Sequence, residues 1–96
     1  MEEFELVLIS SPDVDKQPLI SLIKKVIKGN GGAITSFDDW GKRKLAYPIK
    51  KFLFGDYTQI CFRAETKPNE IRTIDELNKL LTEDELALKH IIVKKD

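Results

Sequence analysis

The 96-residue chain is short of most of what catalysis or covalent cross-linking needs. It has one cysteine, one histidine, one methionine and one tryptophan, and its 16 Lys and Arg cancel its 16 Asp and Glu. Cys61 alone forms no internal disulfide, which fits a reducing, cytoplasmic setting. His90 and Cys61 together offer neither a nucleophile with its base nor a tetrahedral ligand set. No metal-ligand spacing occurs either, so the chain reads as a protein without catalytic residues, metal or cofactor. His90 is read as a surface or packing residue and Cys61 as a small strand residue. No stretch of about 20 apolar residues is present to cross a membrane. Glu2, Glu3 and Glu5 surround Phe4 at the start, unlike the basic and then apolar opening of a secretion signal. Zero net charge excludes a histone-like arm or an acidic disordered tail. With 42% hydrophobic residues, the length suits one domain over residues 1–96 with its own core.

What is present is a regular succession of apolar patterns. Phe4, Leu6 and Leu8 alternate with Val7 and Ile9, so both faces are apolar and the segment reads as a central strand. Asp13 and Asp15 offer N-cap carboxylates, and Pro18 suits a first helical turn. Leu19, Leu22, Ile23, Val26 and Ile27 then recur at spacings of three and four, with Lys24, Lys25 and Lys28 between them. This is an amphipathic helix that Gly29-Asn30-Gly31-Gly32 stops. Residues 33–51 read as a long extended segment. Pro48 assigns it to a sheet edge or a strand end, and Gly41 marks a bulge or bend. Phe52-Leu53-Phe54-Gly55-Asp56 is expected to be the hairpin connection. Residues 57–65 then alternate, with Ile60, Phe62 and Ala64 on one face and Tyr57, Gln59, Cys61 and Arg63 on the other. A second helix is expected from Pro68, with Glu70 in its first turn and Ile71, Ile74, Leu77 and Leu81 along one stripe. Residues 86–93 form the last strand. The acidic clusters Asp38-Asp39 and Glu83-Asp84-Glu85 are read as solvated charge in loops or at helix ends. The order β-α-β-β-α-β implies an α+β, ferredoxin-like fold: a four-stranded antiparallel sheet with two helices on one face.

Between positions 42 and 51 stand Lys42, Arg43, Lys44, Lys50 and Lys51 with no acidic residue among them. A neutral chain that gathers positive charge in one segment has a directional field suited to a polyanion. Lysines on an edge strand also guard against edge-to-edge pairing, and that reading stays open here. Two features favour binding. Lys42, Arg43 and Lys44 are consecutive, so both faces of a strand carry charge. Trp40 and Tyr47 lie in the same segment, where they read either as core residues, the role their size favours, or as aromatic support for nucleic-acid contact. The paired aromatics of single-strand RNA readers are missing from the third strand, so contact to the backbone of a folded RNA is favoured over base reading.

The pattern Trp40-Gly41-x-Arg43-x-Leu45-Ala46-Tyr47-Pro48-Ile49-x-Lys51, followed by Gly55-x-Tyr57, resembles the signature of the bacterial small-subunit ribosomal protein S-six family. The likeness spans the chain, through Phe4-Glu5-Leu6, Gly31-Gly32-Ala33-Ile34, Ala64-Glu65 and Leu88-Lys89-His90-Ile91-Ile92-Val93-Lys94. The resemblance implies a non-catalytic constituent of the small ribosomal subunit that supports translation. It also implies binding to the central domain of small-subunit ribosomal RNA in company with ribosomal protein S-eighteen. Arg43 and Lys51 match basic signature positions and are the first candidates for RNA contact. Lys42, Lys44 and Lys50 follow on charge and proximity, and Arg63 and Lys89 lie on neighbouring strands. Family members often carry a basic residue near the start, where this chain has Glu2 and Glu3, which weakens the expectation of RNA contact there. Two other readings share the strand order. A small enzyme of acylphosphatase type needs an anion-cradling loop with Arg after the first strand, and Ser10-Ser11-Pro12-Asp13-Val14-Asp15 has the wrong charge. A regulatory effector-binding domain would pair through its open sheet face without RNA affinity.

Overall fold

The computed structural model describes residues 2–64 and 67–95, apart from the side chains of residues 67–70. Glu65, the side chain of Glu70 and Asp96, which entered the sequence reading, lie outside the described residues. The elements run β1 (Glu2–Ser10), α1 (Gln17–Gly29), β2 (Ala33–Ile49), β3 (Phe52–Ala64), α2 (Lys67–Glu83) and β4 (Ala87–Lys95). The strands form one sheet in the order β2-β3-β1-β4. Every neighbouring pair is antiparallel, giving the ferredoxin-like arrangement.

Strand alternation sets the two sheet faces. Phe4, Leu6 and Leu8 of β1 pair with Phe62, Ile60 and Thr58 of β3, and all six are buried. They meet Leu19, Ile20, Ile23 and Ile27 of α1 and Leu77 and Leu81 of α2 in one core. Both helices therefore cover the same face. The other face carries Glu3, Glu5, Val7 and Ile9 of β1 opposite Arg63, Cys61, Gln59 and Tyr57 of β3. There β4 adds Ile91 and Val93, each about half exposed. The expected central position of the first strand and edge position of the Pro48 strand both agree with this order.

Four details differ from the sequence reading. The hairpin connection is Lys50-Lys51, because Ile49 pairs with Phe52, and Phe52–Asp56 belong to β3. Gly55 is needed in the ladder: a Cβ there would meet the Ile9 Cγ2 and Leu45 Cδ2 atoms, packed over it from the open face. Leu22 is exposed while Ile20 is buried, and Ile71 is exposed while Thr73 is buried. In each helix the stripe that meets the sheet is rotated slightly from the one that spacing alone selects. Lys16 occupies the N-cap of α1, with no side-chain cap bond, although the Gln17 N–H donates to Asp15 Oδ1 at 3.0 Å. Asp38 and Asp39 lie within β2, not in a loop.

The β2–β3 register shifts at three places, the first between Ile34 and Ser36, and the other two coincide with special residues. One lies between Asp39 and Gly41, where Gly41 takes φ 78°, as a bulge at glycine predicts. The shift between Lys44 and Ile49 sets four residues, 45–48, against Leu53 alone. Pro48, which has no N–H to give, falls inside that irregular stretch.

The turn from α1 into β2 is packed hard on β3. A Cβ on Gly32 would run into the backbone carbonyl oxygen of Arg63, which has no flexible side chain to swing away. Gly32→Ala is expected to lower unfolding free energy by about 2–3 kcal/mol, read as a lower denaturant midpoint with unchanged slope.

Candidate nucleic-acid interface

The distal half of the β2–β3 hairpin runs past the end of β1, whose pairing with β3 stops at Ser10 and Asp56. A buried lysine anchors its base. Lys16 is 6% exposed, and its Nζ donates to Asp39 Oδ1 at 2.8 Å, Asp56 Oδ1 at 2.8 Å and Thr58 Oγ1 at 2.7 Å. These three acceptors sit on both strands of the hairpin, so the ammonium, with its three donors filled, ties β2 and β3 to the start of α1. A lysine is a poor N-cap and its charge opposes the positive end of the helix dipole. The tertiary clasp outweighs both local preferences. Burial alone would lower the Lys16 pKa, but hydrogen bonds to and charges on Asp39 and Asp56 more than reverse this and raise it above its ordinary value. The Lys16 hydrogen bond and, to a lesser degree, the Gly41 N–H hold Asp39 below the usual carboxylate range against the effect of burial.

Beyond this clasp the basic residues are distributed around the hairpin. Arg43 pairs with Gly55 and faces the open side. Its guanidinium lies 5.6 Å from the Trp40 ring centroid, and Trp40 stacks on Tyr57 with centroids 6.4 Å apart. Tyr57, Trp40 and Arg43 thus form one stack, which pre-positions the guanidinium. Lys42 points to the opposite side, where it pairs with Asp13 at 3.1 Å and lies over the Phe54 ring at 5.3 Å. Lys44 shares that side through its pairing with Phe54. Lys50 and Lys51 make the turn itself, with φ 49° and 72°. Two successive positive φ values in a two-residue loop are a type I′ hairpin turn, a geometry that Asn-Gly adopts easily. Left-handed backbone costs a lysine about 1–2 kcal/mol. Arg63, lower on the open face, is held by Glu3 at 3.0 Å. Lys89 lies on the open side of β4 opposite Ile9. Lys44, Lys50, Lys51 and Lys89 are exposed and have no ion pair among the described residues.

Comparison with known proteins then decides the family. The model of the family described as ribosomal protein S6 matches residues 3–94. The chain belongs to the ribosomal protein S6 family. Among curated relatives named small ribosomal subunit protein bS6, the Clostridium kluyveri protein is 39% identical over 98 residues, covering 98% of this chain and 97% of that protein. That of Thermoanaerobacter pseudethanolicus is 36% identical over 99 residues, covering 100% and 99%. A crystal structure of 30S ribosomal protein S6 from Thermotoga maritima superposes with a TM-score of 0.85 at 29% identity, covering 99% of this chain and 89% of that one. Membership makes the chain a structural, non-enzymatic component of the small ribosomal subunit in the cytoplasm. No helix among the described residues is long and apolar enough to cross a membrane.

The rest of this S6-family surface offers little chemistry. Cys61 is buried, and Lys95 Nζ approaches its sulfur only to 3.9 Å. Burial lowers the His90 pKa, and its Nε2 is 2.9 Å from Asn78 Oδ1. No group of three potential metal ligands exists among the described residues. Two shallow hollows flank the turn. One of about 170 Å³ on the open side is lined by Ile9, Leu45, Tyr47, Ile49, Tyr57 and Lys89. The other, of about 300 Å³, lies between Lys50 and residues of α2 and β4 that include Leu81, Thr82, Lys89 and His90. Trp40 and Tyr47 are both exposed, at 43% and 62%, which corrects the core role that their size favoured and leaves them available as aromatic support.

Sequence reasoning overlooked the Lys16 clasp. Lys16 stands among loop and cap residues, and Asp39 and Asp56 look like ordinary surface acids, so only the strand pairing reveals that they converge. Lys16→Met is expected to lower stability by about 2–4 kcal/mol near neutral pH, since it leaves two carboxylates facing each other without their cation. Because the folded pKa of Lys16 is raised, its contribution is fully present below 10.5 and fades as pH rises through the folded value. Because that of Asp39 is lowered, its share is present above 3.8 and fades as pH falls through the folded value. Chemical denaturation of both proteins across this range checks the claim. The wild-type advantage is to be widest between those limits.

Proposed function

We propose that this protein binds the central domain of small-subunit ribosomal RNA through the distal β2–β3 hairpin, in company with ribosomal protein S-eighteen. The observation that carries this reading is the set of cations on the part of the β2–β3 hairpin that extends beyond its pairing with β1. Arg43 is aimed by Trp40, and Lys44, Lys50 and Lys51 are exposed without a carboxylate partner among the described residues. Such groups neutralise phosphates on several sides of a projecting element and contact a folded RNA through its backbone. Lys42 and Arg63 contribute less, because Asp13 and Glu3 already pair with them. Lys89 adds a further charge beside the turn.

The open sheet face supplies a surface for the partner protein. Ile91, Val93 and Trp40 are exposed there, beside the hollow under Tyr47, and exposed apolar area of this kind marks an interaction site. The net charge of zero gives no long-range attraction of the whole molecule to RNA. Weak binding by the chain alone and tighter binding with the partner are therefore expected.

The test uses a transcript of the ribosomal RNA central domain, with and without ribosomal protein S-eighteen. Contact with three to five phosphates makes log K fall against log salt with a slope of roughly −2 to −4. Arg43→Ala and Lys51→Ala are each expected to weaken binding several-fold and to make the slope shallower by about one, while Lys25→Ala on α1 changes neither. A salt-independent affinity, or equal affinity with and without the partner protein, contradicts the proposal.

A further inference from the structure

The Lys50-Lys51 turn has the backbone of an Asn-Gly turn and the side chains of a cation pair. Ile49 pairs directly with Phe52, so the loop has two residues, and both are left-handed at φ 49° and 72°. Among the described residues nothing compensates them. Both side chains are exposed, and neither has a hydrogen bond or ion pair among the described residues. The flanking residues do not bury the tip, since Tyr47 is 62% and Leu53 59% exposed. The irregular 45–48 stretch also interrupts the ladder just before the turn. Like charge adds to the disadvantage: Lys50 shares the rim of one hollow with Lys89. Backbone strain of this kind persists where function demands it. Here the only chemistry the residues bring is two adjacent ammonium groups at the point of a projecting hairpin.

We propose that the Lys50-Lys51 turn is a phosphodiester-contacting tip held at the expense of the free protein's stability, with Lys89 supplying a third cation beside it. The inference deepens the RNA reading above and rests on it. Contact with RNA phosphates relieves the repulsion among these ammonium groups, and the left-handed turn fixes the direction in which Lys50 and Lys51 leave the hairpin. The optimum turn for stability and the optimum turn for binding are then different sequences.

The experiment compares the full chain with two double variants, Lys50→Asn/Lys51→Gly and Lys50→Gln/Lys51→Gln. Each is assayed for thermal unfolding and for salt-dependent binding to the central-domain transcript in the presence of ribosomal protein S-eighteen. The Asn-Gly variant removes strain and charge together, and it is expected to raise Tm by about 4–8 °C. Its salt slope becomes shallower by about 1.5, with affinity at low salt falling at least about tenfold. The Gln-Gln variant keeps side-chain length and the strained backbone, so it reproduces the loss of affinity without the full gain in Tm. An Asn-Gly variant that binds like wild type, while wild type shows a steep salt slope, overturns this inference and leaves the RNA reading standing. A Tm that falls in that variant also overturns it. A flat salt dependence for wild type itself removes the RNA reading and this inference together.

Discussion

A buried ammonium holds the longest hairpin of this protein to the beginning of its first helix. The Lys16 contacts to Asp39, Asp56 and Thr58, each 2.7–2.8 Å, join three chain segments that are distant in sequence. The core alone does not do this, because its apolar contacts lie farther down the sheet, where β1 and the helices cover β3. Past Asp56 the hairpin no longer pairs with β1, and its remaining neighbours there are side chains such as Ile9 over Gly55 and the α2 and β4 residues that share a hollow with Lys50. The clasp at its base and the bulge at Gly41 set the direction in which the hairpin leaves the sheet, and the packing of Ile9 and Leu45 at Gly55 supports it. The arrangement is sensitive to loss of one member, since two carboxylates and one ammonium leave a net negative site that only full hydrogen bonding keeps tolerable.

This base gives the charge of the hairpin a meaning that net charge conceals. Acidic groups are spent where they organise the fold: Asp39 and Asp56 on Lys16, Glu3 on Arg63, Asp13 on Lys42. Among the described residues, Lys24, Lys25 and Lys28 of α1 and Arg72 and Lys79 of α2 carry no ion pair but lie along the helices. Among them too, Arg43, Lys44, Lys50 and Lys51 carry none and sit together at the far end of the hairpin. The result is a projecting ribbon able to touch phosphates on several sides, in place of one flat patch. Arg43 is the most constrained of these groups, because Tyr57 and Trp40 stack beneath it. Edge protection, which the sequence left open as an explanation for the lysines, accounts less well for cations at a turn, where no ladder edge needs guarding.

Much of the architecture could be read directly from residue patterns, for physical reasons. Alternation in β1 and β3 gave the correct inner faces, because a strand's period of two leaves no freedom in which side chains share a face. Gly41 and Pro48 marked irregular positions in an edge strand, since each limits backbone hydrogen bonding or conformation in a way no neighbour can repair. The turn was misplaced because Gly55-Asp56 has turn chemistry locally. In the fold, Gly55 serves close packing by Ile9 and Leu45 and Asp56 serves the clasp, while two lysines take the left-handed positions against their preference. Leu22 and Ile71 were assigned to the core by spacing, which identifies an apolar stripe but not the angle at which the helix meets the sheet. Lys16 carried no signal at all, because its role depends on strand register over more than twenty residues of separation.

The measurement that bears most directly on this account is amide hydrogen exchange of the folded protein compared with Lys16→Met. If the clasp holds the hairpin, the variant loses protection at the amides of residues 38–58 in β2 and β3, while those of β1 and β4 that face one another keep theirs. Uniform loss across the sheet, or unchanged protection of the hairpin, would show that Lys16 does not govern how the cationic tip is presented.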